Sequence, residues 1–286
     1  MDTEIVAQIV KKTGVDSKIK RIGIITGTGL QGIASVIKNP LEISYDEIDN
    51  FPRTQVKGHP GRLVFGSIAD TPVVCLQGRI HFYEGYSFAY IGQLVKILYN
   101  LGVRVLILSN AAGGLNEEYE TGDVMVIKDH INLTGDNALR GIVHPEKGFP
   151  FISIFYDTEL QHHAHEAAKT VPGFSQSLRN GVYSIINGPS FETVAESKFL
   201  IRGGADAAGM STIPEVQMAN YLGMRVFAFS LITNMCVRTY GEYSRLQGEP
   251  NDEVSEGVYE VGQRRMPEIV AWVTKIIEKI NLDDSD

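Results

Sequence analysis

Residues 21–32 read RIGIITGTGLQG, and how this stretch is read decides the fold. The β-branched run Ile22–Ile25 has the composition of a buried strand. It ends in glycines, and a helical pattern follows at about residues 30–37. A strand entering a helix through a glycine-rich turn is the opening unit of an α/β sheet. The turn GTGLQG, residues 27–32, is also a formal G-x-G-x-x-G, which in a dinucleotide fold wraps a pyrophosphate. Its physics is broader than that, because N–H groups at a helix N-terminus bind any phosphate-like anion. The acid that should follow roughly 20 residues on in a dinucleotide site is ambiguous among Glu42, Asp46 and Glu47. An anion site, with Thr28 as a hydroxyl donor, is therefore the preferred reading, and a dinucleotide the alternative.

The same alternation continues outward. Strand-like runs fall at Leu63–Phe65, Val73–Leu76, Val105–Leu108, Val124–Ile127, Val182–Ile186 and Val226–Phe229. Helical patterns fall before Gly14 and at about 87–101, 157–169, 193–203, 213–222 and 253–280. Short β-branched runs between helices predict an α/β fold, and residues 60–77 suggest a hairpin, so the central sheet flanked by helices should be mixed. No repeat, low-complexity tract or linker interrupts the 286 residues, so one domain spanning 1–286 is expected.

At 43% apolar and 21% charged residues, the composition is that of an ordinary globular protein. The net charge of −8 argues against nucleic acid or an anionic membrane as the main partner. The start lacks a basic, apolar leader and no run reaches membrane-span length. Cys75 and Cys236 lie in apolar runs, the pattern of buried free thiols in a reducing compartment. The expected location is cytoplasmic.

Several loops carry chemistry. GPSFETVAE, residues 188–196, sets the ring of Phe191 beside the carboxylate of Glu192, a pair able to stack on a flat heterocycle and accept a hydrogen bond from its edge. Helix capping from Ser190 is the structural alternative; it explains the acids but not Phe191. GHPGR, residues 58–62, offers His59 and Arg62 in a turn. In QGRIHFYEGY, residues 77–86, an extended backbone would put Arg79, His81 and Tyr83 on one side, with Glu84 orienting His81. SNAAGGLN, residues 109–116, suits close approach of backbone to a ligand, with Ala111 acting through its amide. Ser211 is a helix N-cap, an anion donor, or both. Asn234, following the run VFAFSLI, can read a ring nitrogen. His162, His163 and His165 lack a third ligand at metal spacing and read as a solvated helix face, and Trp272 as packing.

Eight motifs in this order, GTGLQG, FPRTQVKGHPGRLVFG, QGRIHFYEGY, NAAGGLN, GDVMVIKDHINLTG, GPSFETVAE, GADAAGMSTIPEV and FSLITN, closely resemble the trimeric purine nucleoside phosphorylases over about residues 20–236. The resemblance implies a phosphorylase-type fold, a homotrimer, and reversible phosphorolysis of 6-oxopurine nucleosides such as inosine and guanosine, with neither cofactor nor metal. It implies that Thr28, His59, Arg79, His81, Ala111 and Ser211 hold phosphate and that Tyr83 and Met210 lie against the ribose. Phe191, Glu192, Thr233 and Asn234 would face the base, with Glu192, Asn234 and His81 the catalytic groups. Phe149 would close the neighbouring subunit's site.

The chain departs from that pattern at three places. Thr28 stands where serine is usual, Ala138 where proline is typical, and Asn251, with Val254 nearby, where a histidine usually reaches the ribose 5′-hydroxyl. An altered 5′-pocket and a broader substrate range are the expectation. A methylthioadenosine phosphorylase, a dinucleotide-binding oxidoreductase and a nucleoside binder without catalysis are the rival readings.

Overall fold

The computed structural model describes residues 2–56, 58–142, 148–150, 152–246 and 251–283; the side chains of residues 245–246 and 251–256 are outside the described set. Among the described residues, nine strands form one sheet in the order β2-β3-β4-β1-β5-β8-β7-β6-β9. They are β1 (Arg21–Thr26), β2 (Lys38–Ser44), β3 (Arg62–Ile68), β4 (Thr71–Gln77), β5 (Val103–Gly114), β6 (Val124–Asn132), β7 (Leu178–Ile185), β8 (Ala207–Gly209) and β9 (Arg225–Met235). The expected mixed α/β sheet is present. β1 runs parallel to β4 and β5, while β3 is antiparallel to β2 and to β4, which is the hairpin expected over 60–77.

β5 organises the other half. It pairs with β1, antiparallel with β8 and parallel with β9, and the path β5-β8-β7-β6-β9 returns to β5. Five strands therefore close on themselves, leaving no free edge there. The carboxyl ends of β1, β4, β5 and β9 open toward one place, where ligands bind in α/β sheets.

The helices are α1 (Asp2–Thr13), α2 (Phe88–Asn100), α3 (Thr158–Ala168), α4 (Val194–Arg202), α5 (Ile213–Tyr221), α6 (Tyr240–Leu246) and α7 (Asn251–Ile277). Two large apolar clusters fill the molecule: one joins α1, α2 and α5 to the sheet through Ile9, Leu98, Leu106 and Val216, the other joins α3 and α7 through Ala164, Phe227, Phe229 and Trp272. Trp272 is wholly buried and donates its indole N–H to the Ala164 carbonyl at 2.8 Å, so it is a packing residue as expected.

The differences from the sequence reading have local causes. Residues Gln31–Val36 form a 3₁₀ helix, not α. β5 runs through Ser109–Gly114, where the sequence predicts a loop, because β9 pairs with it from Val105 to Gly114, with one register shift between Ala112 and Gly113. Asn234 likewise lies within β9. Small residues with little strand propensity are held extended by the β5–β9 pairing, which β8 joins at Gly113 and Gly114. β2 is largely exposed, so it lacks the apolar signature of a buried strand. β8 spans only three residues, and α6 has no regular apolar stripe. No helix among the described residues is long and apolar enough to cross a membrane.

Candidate active site

A cleft of about 360 Å³ opens at those carboxyl strand ends. Thr28, Arg79, His81, Tyr83, Ala111, Phe191, Glu192, Met210, Ser211, Thr233 and Asn234 all line it. Eleven side chains or amides singled out from six separate motifs are thus brought to one cavity.

Arg79 is the centre of the polar end. β4 delivers it to the sheet end, where it is 1% exposed. Its Nε–H donates to Glu215 Oε1 at 2.9 Å, and Nη1 donates to the Ser109 carbonyl at 2.8 Å and to Ser211 Oγ at 2.9 Å. Nη2 is buried with no hydrogen-bond partner among the described residues. A buried guanidinium with two unused N–H groups in a cleft is a strong oxyanion receptor. Glu215 sits in the first turn of α5, where it is 3% exposed. The cap of that helix is Thr212, in an unusual conformation with φ 78°, so Ser211 is not the N-cap and its hydroxyl serves Arg79 instead.

His59 does not line the cleft itself but stands directly behind Thr28. Its Nδ1 lies 3.2 Å from the Arg79 carbonyl, which can only accept, so Nδ1 carries the proton and Nε2 accepts from the Thr28 hydroxyl at 3.2 Å. Burial, with His81 nearby, lowers His59 from 6.5 to about 4. An oxyanion entering the cleft would therefore compete for the Thr28 proton or be met by a newly protonated His59.

His81 and Tyr83 do not alternate along an extended strand, because residues Phe82–Glu84 make a single 3₁₀ turn. The turn still puts their rings together, stacked with centroids 4.6 Å apart and planes at 16°. Glu84 accepts from His81 Nδ1 at 2.9 Å and from the His81 amide at 2.8 Å, as expected. Burial nevertheless lowers the His81 pKa, against the raising effect of Glu84. Nε2 is left as the ring's other polar atom.

At the apolar end, Thr193 rather than Ser190 caps α4, in a reciprocal box with Glu196: Thr193 Oγ1 accepts from the Glu196 amide at 3.2 Å and Glu196 accepts from the Thr193 amide at 2.8 Å. Glu192 is thereby excused from capping and faces the cleft, and Phe191 lines it while 58% exposed. Thr233 donates its hydroxyl to Asn234 Oδ1 at 3.2 Å, which holds the amide plane. Gly188, at φ 65°, makes room for Tyr83 and Met210: a β-carbon there would stand 2.5 Å from Met210 Sδ and 3.1 Å from Tyr83 Cδ1.

Phe149 lies elsewhere, 60% exposed in a second hollow with Leu139, Arg140 and Phe155. The side chains of Asn251 and Val254 lie outside the described residues. Asn110, Val258 and Tyr259 also line the cleft and Glu215 holds Arg79, four residues that the motifs did not single out. An acid inside the apolar run IPEVQMA was a usable signal for Glu215. Tyr259 of α7 had none; its ring comes within 2.7 Å of where a Gly58 β-carbon would be, across the fold. Among the described residues, no group of three or more His, Cys, Asp or Glu is arranged to hold a metal ion. His165 instead pairs with Asn180 at 2.8 Å and His163 with Glu159 at 3.9 Å.

The family model for the phosphorylase superfamily matches residues 21–276. Purine nucleoside phosphorylase from Bos taurus is 42% identical over 265 residues, covering 91% of this chain and 89% of the relative. Purine nucleoside phosphorylase 1 from Bacillus subtilis is 45% identical over 216 residues, covering 75% and 79%. The crystal structure of Schistosoma mansoni purine nucleoside phosphorylase in complex with adenosine matches with a TM-score of 0.87 at 39% identity, over 98% of this chain and 97% of that one. This chain belongs to the phosphorylase superfamily and, within it, to the purine nucleoside phosphorylases.

Proposed function

We propose that this protein catalyses the reversible phosphorolysis of 6-oxopurine ribo- and deoxyribonucleosides, inosine and guanosine, to the free base and the (deoxy)ribose 1-phosphate, in purine salvage. The observation that carries the proposal is the buried Nη2 of Arg79, unpaired among the described residues, in the same cleft as Phe191, Glu192 and Asn234. One cavity thus has an oxyanion end and a heterocycle end.

In this reading phosphate is held by Arg79, Ser211, Thr28 with His59 behind it, His81 and the Ala111 amide. Phosphate oxygen bonds to C1′ as the C1′–N9 bond breaks and its electron pair passes to the purine. The phosphate charge stabilises the cationic sugar as it develops. Asn234 Oδ1 accepts a proton-bearing N7 and Glu192 accepts N1–H, contacts that tighten as the base gains charge. An adenine ring, with a bare acceptor at N1, would face the Glu192 carboxylate with no proton between them. Phe191 stacks on the base, and Tyr83 and Met210 flank the ribose. Asn251 and Val254 are assigned to the 5′ end.

One domain over residues 1–286 carries the reaction, with inorganic phosphate as co-substrate and no cofactor or metal. The working form is a cytoplasmic homotrimer in which Phe149, exposed on its own chain, covers a neighbour's cleft; its partners are nucleoside and phosphate, not nucleic acid or membrane. Hypoxanthine release from inosine, with and without phosphate and alongside methylthioadenosine and a nicotinamide cofactor, tests the proposal. Phosphate-dependent release that exceeds turnover of methylthioadenosine is expected. Release without phosphate, a preference for methylthioadenosine, or cofactor binding with no phosphorolysis would sink it.

A further inference from the structure

Cys236, near the end of β9, is 4% exposed and backed by Leu115, Leu200 and Ala208. Its amide donates to the Gly114 carbonyl at 2.9 Å, which ties it to β5. On its other side lies Gly113, and a β-carbon built there would stand 2.6 Å from Cys236 Sγ, 3.4 Å from Asn234 Nδ2 and 3.7 Å from Glu192 Oε1. The thiol, the amide and the carboxylate therefore converge over a backbone position kept clear by glycine. Burial, then the charge and hydrogen bonding of Glu192, push the thiol pKa well up, so the sulfur keeps its proton at neutral pH. A protonated thiol beside a carboxylate can only be the donor.

We propose that Cys236 is a positioning residue for base recognition: its S–H donates to the Glu192 carboxylate, fixing the oxygen that is presented to purine N1–H. This rests on the nucleoside phosphorylase reading above. Cys236 touches no substrate; it acts by restricting the rotation of the Glu192 carboxylate. A purely space-filling cysteine would affect every nucleoside alike.

The test compares inosine with 1-methylinosine, which has no N1 proton to offer. Cys236→Ala should lower kcat/KM for inosine roughly fivefold and leave 1-methylinosine unchanged, and Cys236→Ser should restore the inosine value to within about twofold. In a Glu192→Ala background the Cys236→Ala step should vanish, the sign of an effect transmitted through Glu192. Equal losses on both nucleosides, additive effects of the two substitutions, or no loss on inosine would overturn the proposal. A spectroscopic arm is independent of activity. The chain has two cysteines, so the infrared S–H band of Cys236 can be read against that of Cys75. Glu192→Ala should shift the Cys236 band alone; an unmoved band refutes the contact. A wild-type protein without phosphorolysis would fail the functional reading, while the band shift still decides the contact.

Discussion

Glu215→Gln is the most informative single substitution, because it removes a charge and leaves the geometry of the Arg79 cradle in place. The Arg79 and Glu215 side chains are 2% and 4% exposed and meet at 2.9 Å. Water does not screen this pair. Removing one partner strands the other charge in the interior, which costs roughly 3–5 kcal/mol. For a domain of this size each kcal/mol is worth roughly 2–3 °C, so melting should fall by about 6–15 °C. Phosphate offers Arg79 a replacement anion, so the rise in melting temperature on adding phosphate should be larger in Glu215→Gln than in wild type. The paired replacement Arg79→Met with Glu215→Leu separates stability from binding. It should melt near wild type, because an apolar pair of similar volume replaces an ion pair at little cost. It should also lose the phosphate-induced shift. Thermal melts followed by circular dichroism, with and without phosphate, measure all three. A Glu215→Gln melt within about 2 °C of wild type, or a double variant that still gains stability from phosphate, would refute this role of the Arg79–Glu215 pair.

Other outcomes follow from the same geometry. His59, lowered from 6.5 to about 4, and His81, also lowered, are neutral in the fold, so the unfolded chain binds more protons. Stability should be full above about 6.5 and be lost as pH falls toward 4; the urea midpoint of His59→Gln should decline less over that window, and an unchanged slope would refute the assignment. Gly27→Ala would put a methyl 2.6 Å from Asn110 Cα and 2.7 Å from the Ser109 carbonyl, backbone atoms that cannot step aside. A destabilisation of more than about 3 kcal/mol is expected in chemical denaturation, and a loss below about 1 kcal/mol would count against the tight β1–β5 approach. Comparing inosine with 5′-deoxyinosine tests the proposed assignment of Asn251 to the 5′ end: a small loss for the deoxy compound is expected, and a large one would show that the 5′-hydroxyl is still read strongly.

The α/β class, the hairpin and the helices α1 to α5 and α7 were legible because each carries a repeating apolar pattern. Trp272 and the thiols Cys75 and Cys236 were legible as interior residues for the same reason. Where a short polar or small-residue segment takes its form from a neighbour, the pattern is silent. Ser109–Gly114 looks like a loop and is a strand because β9 holds it. Capping was an alternative reading for Ser190 and Ser211, yet Thr193 and Thr212 hold those places. The choice between them depends on the direction in which the chain enters each helix, and a hydroxyl one to three residues away satisfies composition equally well.

By itself, the sequence determined the periodicities that make an α/β sheet and the chemical types available at its strand ends: a guanidinium, imidazoles, a ring beside a carboxylate, an amide. It also determined, through eight motifs in order, the family. Only the tertiary structure decided what those groups are free to do. Glu196 and Thr193 cap each other, which leaves Glu192 to the cleft. Glu215, from a segment 136 residues away, neutralises Arg79 and takes one side of its guanidinium. Nη2 has no hydrogen-bond partner among the described residues. Hydrogen-bonding capacity is a property of a residue type, but whether it is already spent depends on partners distant in the chain, and folding alone brings them together.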